Sequence, residues 1–474
     1  MGEMLRPDLC VIGAGSGGLS VAAAAAQLGV DVVLVEKYKM GGDCLNTGCV
    51  PSKAMLAAAR HAENMRTTKP FGIAPTSPVI NSAAVRGHVQ GVIEAIEPND
   101  SVERFTGLGV TVIQAPARFT ARNMVEAGDY EIRARRFVVA TGSSPAVPPI
   151  PGLADVEYFT NETIFDNAVK LDDLIVIGGG PIGLEMAQAH HRLGSRVVVV
   201  EALKALAKDD PELAEPLLRR LRDEGIDIRE GVRVERVEPL NGGVRVVVSE
   251  NGVEQNLDGT HVLVATGRKA NVEGLNLEVA GIKYDQRGIT VSRRLKTSNR
   301  RVWAIGDVAG GPQFTHVANY HAGLVIRQAL FRLPVKANHD TVPWVTYTDP
   351  ELAHVGLTED VARKRHGRIK VLRWPFSEND RAQAERATDG FVKVVTDRRG
   401  RILGASIVGK EAGELLQVWC LAISAGLNVK AMTGFIAPYP TLGEINKRVA
   451  YTYFLASLTS PLVRGAVKFL ARFG

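Results

Sequence analysis

Leu9-Cys10-Val11-Ile12-Gly13-Ala14-Gly15-Ser16-Gly17-Gly18 is the stretch whose reading decides the fold. A short apolar run opens straight into a glycine turn. An alanine-rich helical stretch follows to Gln27, then Gly29, then a second apolar run at 30–35 that ends at Glu36. The succession predicts strand, turn, helix, strand and acid, which is a βαβ unit. In such a unit Gly13 permits the tight turn, Gly15 lets the backbone approach a pyrophosphate, and Gly18 lets the helix pack on the sheet. The helix N-terminus then faces the phosphates, and Glu36 is placed to hydrogen-bond an adenosine ribose. G-x-G-x-x-G alone is a weak signal; its βαβ context and terminal acid make it a dinucleotide site.

The same pattern returns about 165 residues later. Ile175-Val176-Ile177 leads into Gly178-Gly179-Gly180-Pro181-Ile182-Gly183, then a helical stretch to Leu193, an apolar run at 196–200 and Glu201. Two complete fingerprints imply two different dinucleotides. Glu201 suits the free 2′-hydroxyl of NAD, whereas a 2′-phosphate calls for arginine and here finds only Lys204 close behind. NAD(H) is favoured over NADP(H). Each unit is also followed by a strand ending in Ala-Thr-Gly, at Thr141-Gly142 and again at Thr266-Gly267.

Between the first helix and the first Ala-Thr-Gly lies Gly41-Gly42-Asp43-Cys44-Leu45-Asn46-Thr47-Gly48-Cys49-Val50-Pro51-Ser52-Lys53. Cysteines five positions apart stand roughly 7.5 Å apart along a regular helix, whereas a disulfide wants its Cα atoms about 5.5 Å apart. The pair closes only where the helix start is distorted, and Gly48 and Pro51 are expected to supply the distortion. A thiolate at a helix N-terminus is stabilised by the dipole, and Lys53 adds positive charge. The profile is that of a redox-cycling dithiol. A structural disulfide or two unrelated thiols are the bland readings, and C-x4-C by itself does not exclude them.

The thirteen residues resemble the redox-active segment of the class I pyridine nucleotide–disulfide oxidoreductases, a flavoprotein family that includes dihydrolipoamide dehydrogenase, glutathione reductase and mercuric reductase. Asp43 stands where that family usually has threonine. The resemblance runs through both fingerprints, both Ala-Thr-Gly endings, Ala304-Ile305-Gly306-Asp307 and a C-terminal interface motif, all in family order. It implies an α/β fold with two Rossmann-like (βαβ) dinucleotide-binding domains plus an α+β dimer-interface domain. FAD binding is expected at 1–150 and 271–340, NAD(P) binding at 151–270 and dimerisation at 341–474. FAD would be held by Gly13, Gly15, Gly18, Glu36, Gly42, Lys53, Thr141, Gly142 and Asp307, and NAD by Gly178, Gly180, Gly183, Glu201 and Gly267. Cys49 would lie nearer the flavin, Cys44 would meet substrate, and Lys53 would pair with Glu185.

One departure bears on chemistry. The family's interface motif, H-P-T-x-x-E, carries a histidine that shuttles protons; here it reads Tyr439-Pro440-Thr441-Leu442-Gly443-Glu444. Tyrosine titrates near 10 and histidine near 6.5, so Tyr439 is no substitute at neutral pH. Mercuric reductases resemble the chain in having tyrosine there, but they also carry a C-terminal cysteine pair, and this sequence ends Phe-Leu-Ala-Arg-Phe-Gly. A lipoamide-type dithiol oxidoreductase is expected; a mercuric or other metal-ion reductase and a flavin-direct quinone reductase or transhydrogenase are the alternatives.

Composition sets the remaining bounds. The 474 residues suit about three domains. Four cysteines are too few for a secreted disulfide framework, and Met1–Asp8 lacks an apolar signal core, so the expected location is cytoplasmic. A net charge of +6 comes from dispersed arginines, which argues against a nucleic-acid partner, and no metal site is read. The tail places Leu462, Val463, Ala466, Val467, Leu470 and Phe473 on one helical side, with Arg464, Lys468 and Arg472 recurring every fourth residue. Such a helix can lie on an anionic membrane surface; packing on its own domain with a solvated basic face is the favoured expectation.

Overall fold

The computed structural model describes residues 3–473. The chain packs as two compact units, Met1–Ala202 with Arg229–His339, and Leu203–Ile228 with Asp340–Gly474.

The first unit is built on parallel sheet. Its strands run in the spatial order Val302–Ala304, Arg136–Val139, Leu9–Ile12, Val32–Glu36, Thr111–Gln114, all parallel. Leu9–Ile12 and Val32–Glu36 are buried at every position, as strands covered on both faces must be. The order reverses on either side of Leu9–Ile12, and the glycine turn sits at the carboxyl end of that strand. This is the crevice in which open α/β sheets bind ligands. The second fingerprint repeats the arrangement: Asp173–Ile177 lies between Arg196–Glu201 and His261–Val264, again parallel. The apolar spacing over 81–105 predicts one long helix, but it is broken: Ser82–Ile96 stops before Pro98, and Val102–Gly107 starts anew on a Ser101 cap. The β-type alternation over 111–136 predicts a small sheet; that sheet takes its strands from Ala117–Ala121, Met124–Ala127, Tyr130–Ile132 and Glu3–Leu5, while Thr111–Gln114 joins the large parallel sheet.

The four prolines at 145–151 suit a linker, and the chain is paired where that segment begins. Ser143–Pro145, just past the first Ala-Thr-Gly, pairs antiparallel with Arg268–Ala270, just past the second. The two exits are thus zipped side by side.

In the second unit an antiparallel sheet runs Trp344–Thr346, Glu351–Gly356, Ile402–Gly409, Phe391–Asp397, Ile369–Pro375. Its centre, Ile402–Gly409, is fully buried, and Trp419 packs in the same core with its indole N–H donated to Asn446 at 2.7 Å. The helix Pro211–Asp223 belongs to this unit, burying Leu213, Leu217 and Leu221, and a buried cation ties its start to the sheet. Lys393, 3% exposed at its side chain, donates to Asp210, Glu212 and Glu359 at 2.5, 2.7 and 2.8 Å. Burial alone would pull that ammonium down, but the three carboxylates outweigh it and hold it above the ordinary lysine range. Those carboxylates converge as a metal site's would, and the lysine supplies the charge that an ion would bring.

Candidate active site

Two glycine turns are shaped for ligands, and the space around each glycine tells which constraint it answers. Gly13 has φ +103°, and a Cβ there would stand 2.5 Å from the Ala140 carbonyl oxygen. A Cβ on Gly18 would stand 1.8 Å from the Gly13 carbonyl oxygen. The protein itself therefore forbids side chains at both. Gly15 differs: its φ is −79°, ordinary for any residue, and a Cβ would meet only Gly42 Cα at 3.9 Å. The second fingerprint repeats this. Gly178 would strike Ala265 O at 2.5 Å and Gly183 would strike Gly178 O at 2.0 Å, while Gly180 meets nothing within 4 Å. Since neither strain nor crowding asks for glycine at 15 or 180, the room is left for something outside the chain. Both following helices, Ser16–Gln27 and Pro181–Arg192, also open without a side-chain cap or an acid in the first turn. Bare N–H groups at the positive end of a helix fit the phosphates of FAD and of a pyridine nucleotide.

The two terminal acids hold these turns. Glu36 accepts from Ala14 N at 2.6 Å and from Tyr38 N at 2.8 Å; Glu201 accepts from Gly179 N at 2.8 Å. A carboxylate has about four acceptor positions, so holding a turn does not by itself bar one from a ribose hydroxyl.

The cysteines flank a break between two helices. Cys44 lies within Gly42–Asn46 and Cys49 opens Cys49–Arg66. The break is made by Thr47 and Gly48, not by Pro51. Gly48 adopts φ −127°, ψ −109°, and a Cβ on it would be 2.9 Å from Asp43 O. Pro51 sits in the first helical turn, where an N–H has no partner in any case. The carbonyl four residues before it, Thr47 O, accepts instead from Asn161 Nδ2 at 3.0 Å.

Both cysteines are thiols in this structure, and they differ sharply. Cys49 is pulled down to about 6 by the hydrogen bond from Cys44, then by Thr315 and the Lys53 ammonium, against the contrary effect of burial. Its Sγ is 3.4 Å from Thr315 Oγ1. Cys44, donor of that bond and partly buried, is pushed far above the ordinary thiol range. At neutral pH the pair is one thiolate and one thiol.

Lys53 reaches Glu185 Oε2 at 2.7 Å, joining Cys49–Arg66 to Pro181–Arg192. The two side chains meet, with the carboxylate buried (6% exposed) and the lysine open to solvent (38%). Gly42, at φ +61°, backs onto Gly15. Thr141 donates to Asn271 O at 2.7 Å, Gly142 O accepts from Asn271 N at 3.0 Å, and Gly267 O accepts from Ala146 N at 2.9 Å.

The sequence reading missed Arg268. Its guanidinium lies 3.3 Å from Asp43 Oδ2 and donates to Ser143 Oγ at 2.7 Å and Ser143 O at 2.8 Å. Ser143 in turn donates to Asp307 Oδ2 at 2.5 Å. Burial pushes the Asp307 carboxyl up, and the Ser143 bond and the Arg268 charge oppose it. Thr47 and Asn161 complete the shell of Asp43 at 2.9 and 3.0 Å. The residue that departs from the family pattern is thus the hub tying the redox turn to the paired exits. Its only sequence signal was an unmatched acid beside Cys44.

Tyr439 and Glu444 lie in the second unit. The Tyr439 hydroxyl donates to Asp380 at 2.9 Å, which raises it above the ordinary phenol range, and the ring is 67% exposed. Glu444 opens the helix Glu444–Leu458 and pairs with Arg448 at 2.8 Å.

The sequence signature of the pyridine nucleotide-disulphide oxidoreductases matches residues 7–322. The chain belongs to that family. A second signature, the family's dimerisation domain, matches residues 342–450. A mercuric reductase of Bacillus cereus is 35% identical over 450 residues, 94% of this chain and 71% of that protein. A dihydrolipoyl dehydrogenase of Thermus scotoductus is 37% identical over 453 residues, 92% and 95% of the two chains. Among solved structures, the Cu(II) complex of the HOCl-induced flavoprotein disulfide reductase RclA from Escherichia coli superposes with a TM-score of 0.85. It is 26% identical, over 94% of this chain and 99% of that one. The expected α/β architecture and family stand: this is an oxidoreductase acting on sulfur groups, with FAD and a pyridine nucleotide as the family's cofactors. Among the described residues no helix is long and apolar enough to cross a membrane.

Proposed function

We propose that the protein is a homodimeric, lipoamide dehydrogenase-like oxidoreductase that passes electrons between NAD(H) and a disulfide or dithiol through Cys44 and Cys49. FAD, when bound, supplies the two-electron relay between nicotinamide and sulfur. In this reading 1–150 with 271–340 hold FAD: Gly13, Gly15 and Gly18 with the helix N-terminus behind them take the pyrophosphate, Glu36 the ribose, and Gly42, Lys53, Thr141, Gly142 and Asp307 the remainder. Residues 151–270 take the nicotinamide cofactor on Gly178, Gly180, Gly183 and Gly267, with the carboxylate of Glu201 favouring a free 2′-hydroxyl. Residues 341–474 are the dimerisation domain, ending in a basic amphipathic tail.

The observation that carries the proposal is the placement of the two thiols on either side of a helix break, with Cys49 Sγ 3.4 Å from Thr315 Oγ1 and Lys53, paired to Glu185, on the helix that Cys49 opens. Cys49 is the stabilised thiolate and Cys44 holds the proton between them. With a disulfide R–S–S–R′, the Cys44 proton passes along its hydrogen bond to Cys49 as Cys44 attacks, forming a Cys44–S–S–R mixed disulfide and releasing R′–S⁻. Cys49 passes that proton to R′–S⁻, attacks Cys44 Sγ as the thiolate, releases R–S⁻ and closes the Cys44–Cys49 disulfide. Two electrons leave the pair; one proton comes from Cys44 and one from solvent. Tyr439, raised by Asp380, is a poor proton exchanger at neutral pH, so turnover with ordinary disulfides is slow. Tyr439→His raises it and Tyr439→Phe leaves it unchanged.

The test is an anaerobic dithionite titration of the flavin-loaded protein, followed by an acceptor panel with NADH and NADPH. Uptake of four reducing equivalents per flavin, falling to two in Cys44→Ser, supports the relay; uptake of two in the unaltered protein refutes it. A metal-ion reductase is the second reading, favoured by exposed Tyr439 where a matched acid is expected and by relatives named mercuric reductase. It predicts Hg(II)-dependent NAD(P)H oxidation that disappears in Cys49→Ser.

A further inference from the structure

The helix Pro461–Leu470 lies beyond the dimerisation signature, which stops at residue 450, and none of its residues is buried. The favoured expectation of packing on its own domain does not describe it. Leu462 is 84% exposed, Leu470 64% and Phe473, just past the helix, 74%. A ten-residue helix with Gly465 in its middle is marginal in water by itself. It needs a surface.

We propose that this helix docks, lying flat, on an anionic lipid surface. The apolar residues Leu462, Ala466, Phe469, Leu470 and Phe473 share one side, and Arg464, Lys468 and Arg472 share the opposite side. The charge pattern decides between occupants. After Glu444 the chain carries Lys447, Arg448, Arg464, Lys468 and Arg472 and no acid at all. A face merely solvated, or turned outward from a second copy of the chain, is served by charges of either sign; an all-basic face flanking an apolar stripe complements anionic headgroups. Leu455 and Leu458, in the preceding helix Glu444–Leu458, are exposed as well.

The test is co-flotation of the full-length, flavin-loaded protein with vesicles of phosphatidylcholine alone or mixed with phosphatidylglycerol, at low and high salt. Each cation near an anionic surface multiplies affinity about fivefold, so three give on the order of a hundredfold preference for the mixed vesicles at low salt. Salt and the double change Arg464→Ser, Lys468→Ser should each remove most of that preference. Leu462→Ser with Leu470→Ser should abolish binding while flavin content, dimer mass and NADH-dependent turnover stay unchanged. Equal binding to both vesicles, or no binding, overturns the proposal. So does dissociation of the dimer in the leucine variant, because the stripe is then covered by a second copy.

Discussion

Thr315→Val isolates what holds Cys49 as a thiolate. Valine keeps the volume of threonine and removes the hydroxyl that stands 3.4 Å from Cys49 Sγ. A hydrogen bond to a charged group contributes about 1.5 to 3 kcal/mol, which is about one to two pKa units. The thiolate, held at about 6 in the unaltered protein, should therefore titrate at about 7 to 8 in the variant. The assay is the pH dependence of iodoacetamide alkylation of the reduced protein, with the modified cysteine read by peptide mapping. The sign follows from the chemistry: the lost donor favoured the anion, so the reactive fraction at a fixed pH near 6.5 must fall. A variant whose alkylation midpoint stays within about 0.3 units of the original would refute the assignment, since even the weakest charged hydrogen bond should move it further.

Asp43→Asn should act in the opposite direction, because the Asp43 charge raises both thiols; the Cys49 midpoint should fall in the same alkylation assay. Gly15→Ala should leave a folded apoprotein with weakened FAD binding, measured by flavin retention on dialysis. Gly180→Ala should retain flavin and lose NADH affinity, and Gly18→Ala should fail to fold because its Cβ meets a carbonyl at 1.8 Å. Lys393→Met should lower stability by about 3 kcal/mol in denaturant unfolding, since it leaves three carboxylates facing one another. The same cluster fixes a pH dependence. The Arg373 guanidinium and Lys393 hold Glu212 down at about 2, so its contribution is complete above the ordinary carboxylate range and is lost as pH falls from there toward 2. Thermal melts from pH 6 downward should show that decline, and a flat profile would count against the cluster.

The fingerprints were legible because each glycine answers a rule that travels with the motif: a tight turn, a close helix, a place for phosphate. Their repetition made the pattern readable twice, and the structure repeats it down to the 2.5 Å at which a Cβ on Gly13 or Gly178 would meet the carbonyl oxygen of Ala140 or Ala265. The break between the cysteines was legible too, but its cause was misassigned to Pro51, which lies in a helical position that tolerates proline. The break at Pro98 was missed because the apolar spacing on either side continues a helical rhythm. Arg268 and Lys393 were illegible for another reason. Their partners lie far off in the chain, Lys393 from Asp210 by 183 residues, and periodicity carries no information about which charge will meet which.

Arg268 stands opposite Pro145, so the chain leaves and returns at neighbouring points, about 5 Å apart as paired strands are. Everything from 146 to 267 is therefore, topologically, an insert that a two-residue hairpin could replace. Excision would still not be clean. The deleted stretch carries Asp210 and Glu212, which pack with Lys393 in the second unit, and of the three carboxylates around that lysine Glu359 alone would be left. The stretch between the paired exits thus supplies part of another unit's core, and any truncated flavoprotein cut from this chain should require Lys393 to be replaced as well.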